Sequence, residues 1–327
     1  MECIQKRFVD WIIQLIKVRR TVTPEETTAS LKAGITASLR SGTTAVGDIV
    51  STPELLSVYD GAAIDGRIYL ELIGQDMTIF SPRLDNAVAA AKLLKGGLSP
   101  HSPYTINRTL LPSIALAARR HSLPLSVHLA ESHDESDFLF NSSGQLAEEL
   151  YPFVGWEGFI PSPLCTTPVR FFDGGGLLGP ETLAVHSVQV TPADAAILKE
   201  RGVTVCLCPR SNQQLDVGIA PVRMFKKLGI PLCIGTDSLA SNDSLSLWDE
   251  IRFAMDLYKG ELIPEELLQM ATSGGASGIG LGENTGFLET GKRADFQVVQ
   301  LNGHCTAESL LTQGQLREVF AGGAVVS

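Results

Sequence analysis

An α/β barrel of the TIM type is the fold class that this sequence predicts, on three observations. Short apolar runs alternate with amphipathic stretches along most of the chain, the order that builds a parallel sheet. The 327 residues are enough for one large barrel-sized domain. Polar residues able to do chemistry, above all His128, His186 and Asp237, stand where apolar runs end. In parallel sheets the carboxyl end of a strand is where ligands bind, because loops vary there while strands hold position. An open doubly wound sheet is the competing architecture, but no Gly-x-Gly-x-x-Gly follows an early strand.

Taken in order, Phe8, Ile12, Leu15 and Val18 trace one face of a helix. Its apolar stretch is broken by Asp10 and Gln14, with no small-residue cleavage site after it, so Met1 to Arg20 does not read as a signal peptide. Thr23-Pro24-Glu25-Glu26 is a helix start, with Thr as N-cap, Pro in the first turn and Glu reaching back. Leu31, Ile35 and Leu39 continue that face to Gly42. Strands are predicted over 43–50, 67–73, 97–101, 124–129, 182–188, 203–208 and 231–236. Helices are predicted over Leu84 to Lys95, Arg108 to His121 and Pro192 to Arg201. A closed barrel of this kind uses eight strands, so seven leave one missing, and it should be the first, before Met1. A helix beginning near Pro264 ends in the Gly-rich run 273–282, and 291–300 and 319–326 read as short strands outside the barrel. The expected division is a hydrolase-type barrel over 1–285 and part of a small β-sandwich subdomain over 286–327.

Composition excludes several classes. Hydrophobic residues at 44% and charged residues at 19% describe an ordinary globular chain, neither disordered nor a bundle of membrane spans. A formal charge of −10 argues against nucleic acid as partner. The six cysteines, Cys3, Cys165, Cys206, Cys208, Cys233 and Cys305, show no paired spacing, which points to a reducing cytoplasm. Alternation puts Cys206 and Cys208 on one strand face with no second pair nearby, so they read as small buried hydrophobes, not ligands.

His128 ends the run Leu125-Ser-Val-His-Leu, and Glu131 follows on the loop above it. A strand-end histidine is by itself as readily a hydrogen-bonded core residue as a ligand; the neighbouring Glu131 and the equivalent placement of Asp237 favour a site. His186 ends Thr182-Leu-Ala-Val-His in the same manner, and His101 lies in the loop-like Ser-Pro-His-Ser-Pro-Tyr-Thr. On a barrel all four converge on one mouth. His121, His133 and His304 read as surface residues. No Gly-x-Ser-x-Gly elbow, no cysteine beside a base and no phosphate loop is present. Imidazoles with carboxylates suit metal-assisted hydrolysis, in which a divalent ion lowers the pKa of water to about 7.

His128-Leu-Ala-Glu131, the strand-end His186, Cys208-Pro-Arg-Ser-Asn212 and Gly235-Thr-Asp237-Ser-Leu-Ala-Ser-Asn242 together resemble the amidohydrolase superfamily, in its branch of cytosine, guanine and adenosine-type deaminases and chlorohydrolases. Within the branch, Ser99-Pro-His101-Ser-Pro-Tyr104-Thr and His-Leu-Ala-Glu-Ser are most similar to aminodeoxyfutalosine deaminases of menaquinone biosynthesis, and nearly as similar to S-adenosylhomocysteine and methylthioadenosine deaminases. The resemblance implies a single divalent metal, zinc or else iron, held by His128 and Asp237, with Asp237 also accepting a proton from the attacking water. It implies that Glu131 protonates a ring nitrogen of a purine-nucleoside substrate, and that His186 helps stabilise the tetrahedral intermediate before ammonia leaves. His101, Arg210 and Asn242 become substrate-facing candidates, the segment Trp156 to Leu178 would shape the pocket, and a homodimer is a common state of the branch. Neither nucleic acid nor a membrane is implied as a partner.

The superfamily also carries a His-x-His pair on its first barrel strand, and this sequence contains none. The absent motif coincides with the absent strand, and only two direct ligands remain where catalytic zinc sites use three. The expectation is weak metal binding by this chain. Another hydrolase of the branch, such as a guanine deaminase or chlorohydrolase, is one alternative, and an inactive relative serving as a binding partner is another.

Overall fold

The computed structural model describes residues 7–326; Cys3 and the rest of 1–6 lie outside them. Seven parallel strands, β1 (Ala45–Val50), β2 (Asp65–Leu72), β3 (Gly97–Pro100), β4 (Leu125–Leu129), β5 (Thr182–His186), β6 (Thr204–Leu207) and β7 (Leu232–Ile234), form one sheet in chain order. Every neighbouring pair is parallel, as in β4 and β5, where Leu125 faces Thr182 and Leu129 faces His186. The sheet curls into a TIM-like half barrel whose ends, β1 and β7, do not pair with each other. All seven predicted strands are found, each within two residues of its expected start.

The helices between the strands cover the outside of the sheet through a continuous apolar layer. It includes Phe80, Leu84, Ala87 and Ala91 from Met77–Leu94, Ile114 and Ala118 from Leu111–His121, and Ala195 and Leu198 from Pro192–Arg201. Helix Met77–Leu94 begins seven residues before the predicted Leu84, because Asp76 caps it by accepting from the Thr78 amide. It tolerates Pro82 inside its span. The predicted capping box is present at Pro24–Arg40, with Thr23 and Glu26 exchanging hydrogen bonds of 2.8 and 3.2 Å.

Helix Phe8–Arg19 is rotated from its predicted face. Phe8 and Val9 are the buried residues and Trp11, Ile12, Ile13 and Ile16 pack on the core, while Val18 is exposed. The reason is visible in its contacts: Phe8 lies edge-on to Tyr104 beyond β3, and Trp11 donates 2.8 Å to the Ala240 carbonyl beyond β7. The helix therefore lies across the mouth of the sheet rather than on its outer face.

Inside the curl, Leu183, Val185, Cys206, Cys208, Cys233 and Ile279 form a second, smaller apolar cluster. Cys206 and Cys208 share that face, as alternation predicts. Beyond Gly278 the chain forms a three-stranded antiparallel sheet of β8 (Phe296–Gln300), β9 (Gln315–Ala321) and β10 (Ala324–Val325). Among the described residues no helix is long and apolar enough to cross a membrane.

Truncating Phe225, fully buried in helix Val222–Leu228, to alanine is expected to destabilise the protein by about 3–5 kcal/mol. Leu93→Ala, at 85% exposure, should stay within about 0.5 kcal/mol. Urea denaturation of both variants checks the contrast.

Candidate active site at the strand ends

The polar residues picked out in the sequence gather where the parallel strands stop. His101 directly follows β3, His128 lies in β4, Glu131 two residues after it, His186 ends β5, and Asp237 stands three residues past β7. The imidazoles form an arc: ring centroids lie 4.7 Å apart for His101 and His128, and 5.6 Å for the stacked His128 and His186. The chain leaves several strands through backbone in the left-handed region, at Ala130 (φ 52), His186 (φ 72), Ser187 (φ 49) and Asp237 (φ 57). Residues with side chains seldom take this conformation, and it persists where surrounding bonds enforce it. Here Ser187 and Val188 donate to the carbonyls of Leu129 and Ala130, and Gly235 to that of Leu207, each at 2.9 Å. Close packing reinforces the last turn, since a Cβ added to Gly235 would sit 3.0 Å from Cys206 Sγ.

Each of these side chains has an orienting partner. His128 Nδ1 lies 3.1 Å from the His101 carbonyl, which can only accept, so Nδ1 carries the hydrogen and Nε2 is the free atom. His186, 1% exposed, has its Nδ1 2.8 Å from Asn212 Oδ1 and its Nε2 3.6 Å from Glu131 Oε1. Asp237 Oδ2 accepts from the Ser211 and Ser241 hydroxyls at 2.7 and 2.6 Å. The Glu131 loop is clamped by Glu135, whose carboxylate accepts from the Ala130 and Glu131 amides at 3.2 and 2.8 Å.

Electrostatics separate the two carboxylates. Burial pushes Glu131 up to about 8, against a smaller lowering by His128, and Asp237 adds to the rise. Burial alone would also raise Asp237, but His186, His128 and the two serine hydroxyls outweigh it and hold that carboxyl below its usual range. Near neutral pH the first is an acid and the second an anion. His101 is pushed well below the ordinary histidine range by burial, then by His128, Arg19 and His186, and so stays neutral.

The substrate-facing candidates fare differently from one another. His101 has its Nδ1 on the Ser102 and Thr105 hydroxyls at 2.9 and 3.1 Å, leaving Nε2 4.0 Å from Glu71. Arg210 pairs its guanidinium with Asp243 and Asp249 and gives its amide to Glu250. Asn242 is buried with its amide fully used: Nδ2 donates to Thr236 O and Glu250, while Oδ1 accepts from the Asp243 and Ser244 amides. These bonds hold the loop beyond β7.

Four contributors were not anticipated from the sequence. Glu71 projects from β2 toward His101, with its carboxyl raised by burial; the signal was a lone acid in the strand Ile68-Tyr-Leu-Glu-Leu. Glu135 follows the N-cap Ser132. Ser211 and Asn212 belong to the motif Cys208-Pro-Arg-Ser-Asn212, in which nothing local marks Asp237 and His186 as their partners.

For a metal ion, the donor chemistry fits: the free Nε2 of His128, with Nδ1 held as a ligand's outer nitrogen commonly is, and the ionised Asp237. The grouping is loose, since no three His, Cys, Asp or Glu side chains among the described residues are arranged to hold an ion.

A curled parallel sheet with its acid, anion and imidazoles at the carboxyl ends of the strands has the layout of a TIM-type enzyme. The model of the amidohydrolase family matches residues 3–326, and the chain belongs to that family. It is 34% identical to the aminodeoxyfutalosine deaminase of Deinococcus radiodurans, over 81% of this chain and 66% of that protein. It is 30% identical to a 5-methylthioadenosine/S-adenosylhomocysteine deaminase of Natronomonas pharaonis, over 94% of this chain and 72% of the relative. Among solved structures it resembles an adenosine deaminase from Xanthomonas campestris with bound zinc, with TM-score 0.82, 25% identity and coverage of 98% of this chain and 74% of that one. It also resembles Helicobacter pylori aminofutalosine deaminase, with TM-score 0.79, 26% identity and coverage of 91% and 77%. The chain spans slightly under two thirds of the Deinococcus protein.

A carboxyl raised on folding contributes stability below its unfolded value that is lost as pH rises through its folded value. For Glu131, whose ordinary value is 4.5, stability should therefore fall between about pH 4.5 and 8. Glu131→Gln should flatten that slope, read as the urea midpoint against pH.

Proposed function

We propose that this chain carries the catalytic face of a hydrolytic deaminase acting on a 6-aminopurine nucleoside, with aminodeoxyfutalosine as the leading substrate. The observation that carries the reading is the pair of carboxyls with opposed protonation, Glu131 protonated up to about pH 8 and Asp237 ionised, facing one mouth with His186 between the strands that bear them. Hydrolytic deamination needs such a pair, because a proton must leave the attacking water while another reaches the ring.

Asp237, its second oxygen held by Ser211 and Ser241, accepts the proton from water as the new C–O bond forms at the amino-bearing carbon. Glu131 delivers its proton to the adjacent ring nitrogen, so the ring electrons displaced by the attack are neutralised. His186 lies beside Glu131 and stabilises the tetrahedral carbon. The proton taken up by Asp237 passes to the amino group, the C–N bond breaks, ammonia departs, and the new hydroxyl returns its proton to Glu131 as the carbonyl forms. His128 and Asp237 would hold a divalent ion, zinc first and iron second, which when bound supplies Lewis-acid activation of the water. His101 and Arg210 face the substrate side of the mouth, and residues 1–285 and 286–327 act as barrel and accessory β unit. The setting is cytoplasmic, the partner is the small substrate, and a homodimer is the assembly.

The substrate is supported by the name of the Deinococcus relative and of the Helicobacter structure. A second reading, deamination of methylthioadenosine or S-adenosylhomocysteine, is favoured by the Natronomonas relative, which matches more of this chain. Ammonia release from the three nucleosides compared at equal concentration decides between them; no release from any 6-aminopurine would reject both.

Asp237→Asn is expected to abolish turnover, and Glu131→Gln to slow it about a hundredfold or more while leaving metal content unchanged. In the wild type, kcat/KM should decline above about pH 8 as Glu131 loses its proton. Loss of metal in Glu131→Gln would reassign that residue as a ligand. Metal analysis of the chain purified without chelator should give well under one ion per chain, and less again in His128→Ala.

A further inference from the structure

We infer that Asn212 is a positioning residue that fixes the proton of His186 on Nδ1, so that the Nε2 lone pair faces Glu131 and the mouth. The imidazole of His186 is enclosed, and its two nitrogens meet one partner each: Asn212 Oδ1 at 2.8 Å from Nδ1, and Glu131 Oε1 at 3.6 Å from Nε2. An amide oxygen can only accept, so the short contact requires Nδ1–H, and a neutral ring then has its lone pair on Nε2. His128 follows the same rule one strand away, its Nδ1 tied to the His101 carbonyl. The two stacked rings, 25° apart in plane, thus present the same kind of atom to the site.

The backbone of Asn212 is held in place. It lies in the short helix Pro209–Gln214, where its amide donates to Cys208 O at 3.0 Å and its carbonyl accepts from Val217 at 3.1 Å. The preceding Ser211 donates to Asp237, so one turn orients both the imidazole of β5 and the carboxylate beyond β7. The side chain is 2% exposed, and its Nδ2 is buried with no hydrogen-bond partner. Turned over, the amide would present Nδ2 to the ring instead, moving the ring proton to Nε2 and placing an N–H where a lone pair now faces Glu131. The orientation of this one amide therefore sets the polarity of the His186 face toward the substrate.

The test is the tautomer itself, which does not depend on the deaminase reading; only the kinetic consequence rests on that reading. In ¹⁵N-histidine-labelled protein, with the His186 signals identified by their loss in His186→Gln and the pH raised until the ring carries a single proton, that proton should be on Nδ1 and not on Nε2. Asn212→Asp keeps the acceptor and should keep that pattern; Asn212→Leu removes it and should shift the proton population toward Nε2. With a nucleoside that the wild type deaminates, Asn212→Leu should lower kcat about 10–100-fold with KM little changed, and Asn212→Asp should recover most of the loss. A wild-type ring protonated on Nε2, or an unchanged pattern in Asn212→Leu, would overturn the assignment. If Asn212→Leu does not fold, the wild-type and Asn212→Asp spectra decide it. A correct tautomer in a chain that deaminates nothing would reject the function and leave the Asn212 assignment standing.

Discussion

The site depends on how parallel strands are made to stop. A strand that runs on past the sheet exposes amides and carbonyls with no neighbour, and an unpaired buried group costs about 1–3 kcal/mol. Here the strand ends are closed by their neighbours: the His101 carbonyl takes both the amide and the ring nitrogen of His128, and the Ala130 carbonyl takes the amides of Val188 and Gln189. Such bonds, with that from the Gly235 amide to the Leu207 carbonyl beside β7, flank the left-handed residues Ala130, His186, Ser187 and Asp237, a conformation that costs about 1–3 kcal/mol each. The strain has a geometrical result, because each such residue turns the chain out of the strand just where a chemical group is wanted. The ending of the strands and the site's placement share one set of bonds.

The same burial acts on the two carboxyls in opposite directions. For Glu131, full burial is set against one lowering influence, His128, and Asp237 adds to the rise, whereas Asp237 has two hydroxyls donating to one oxygen and the lowering influence of two imidazoles. Desolvation wins for the first and local partners win for the second. Glu135, itself raised to about 8 by burial, stabilises the loop that carries Glu131 through two backbone amides, so a second buried acid fixes the first.

Much of this was legible in the sequence because period and punctuation carry it. The seven apolar runs found their strands, and strand-end placement found His101, His128, His186 and Asp237, since position along a parallel strand fixes which end of the sheet a residue reaches. What was not legible depends on contacts between distant segments. Arg210 and Asn242 stand in motifs that invite a substrate role, and the motifs do not show that Asp243, Asp249 and Glu250 will also engage their polar atoms. Nothing local in sequence says that Glu250, buried in helix Leu247–Leu257, will reach both. The rotated face of Phe8–Arg19 has the same origin: its partners Tyr104 and Ala240 are remote, and helical period alone does not choose between two apolar sides.

Strand order that equals chain order has a consequence for how the chain reaches this state. Each new strand pairs with the one just before it, so the loop closed at every step is a single crossover, and loop-closure entropy grows only slowly with its length. The sheet can assemble vectorially, β1 toward β7, as the chain is synthesised. The polar groups of the mouth arrive in the same order, His101, then His128 and Glu131, then His186, with Asp237 last. Asp237 meets Ser211 and Asn212 already folded behind β6, and the second serine, Ser241, closes on it from the loop that follows.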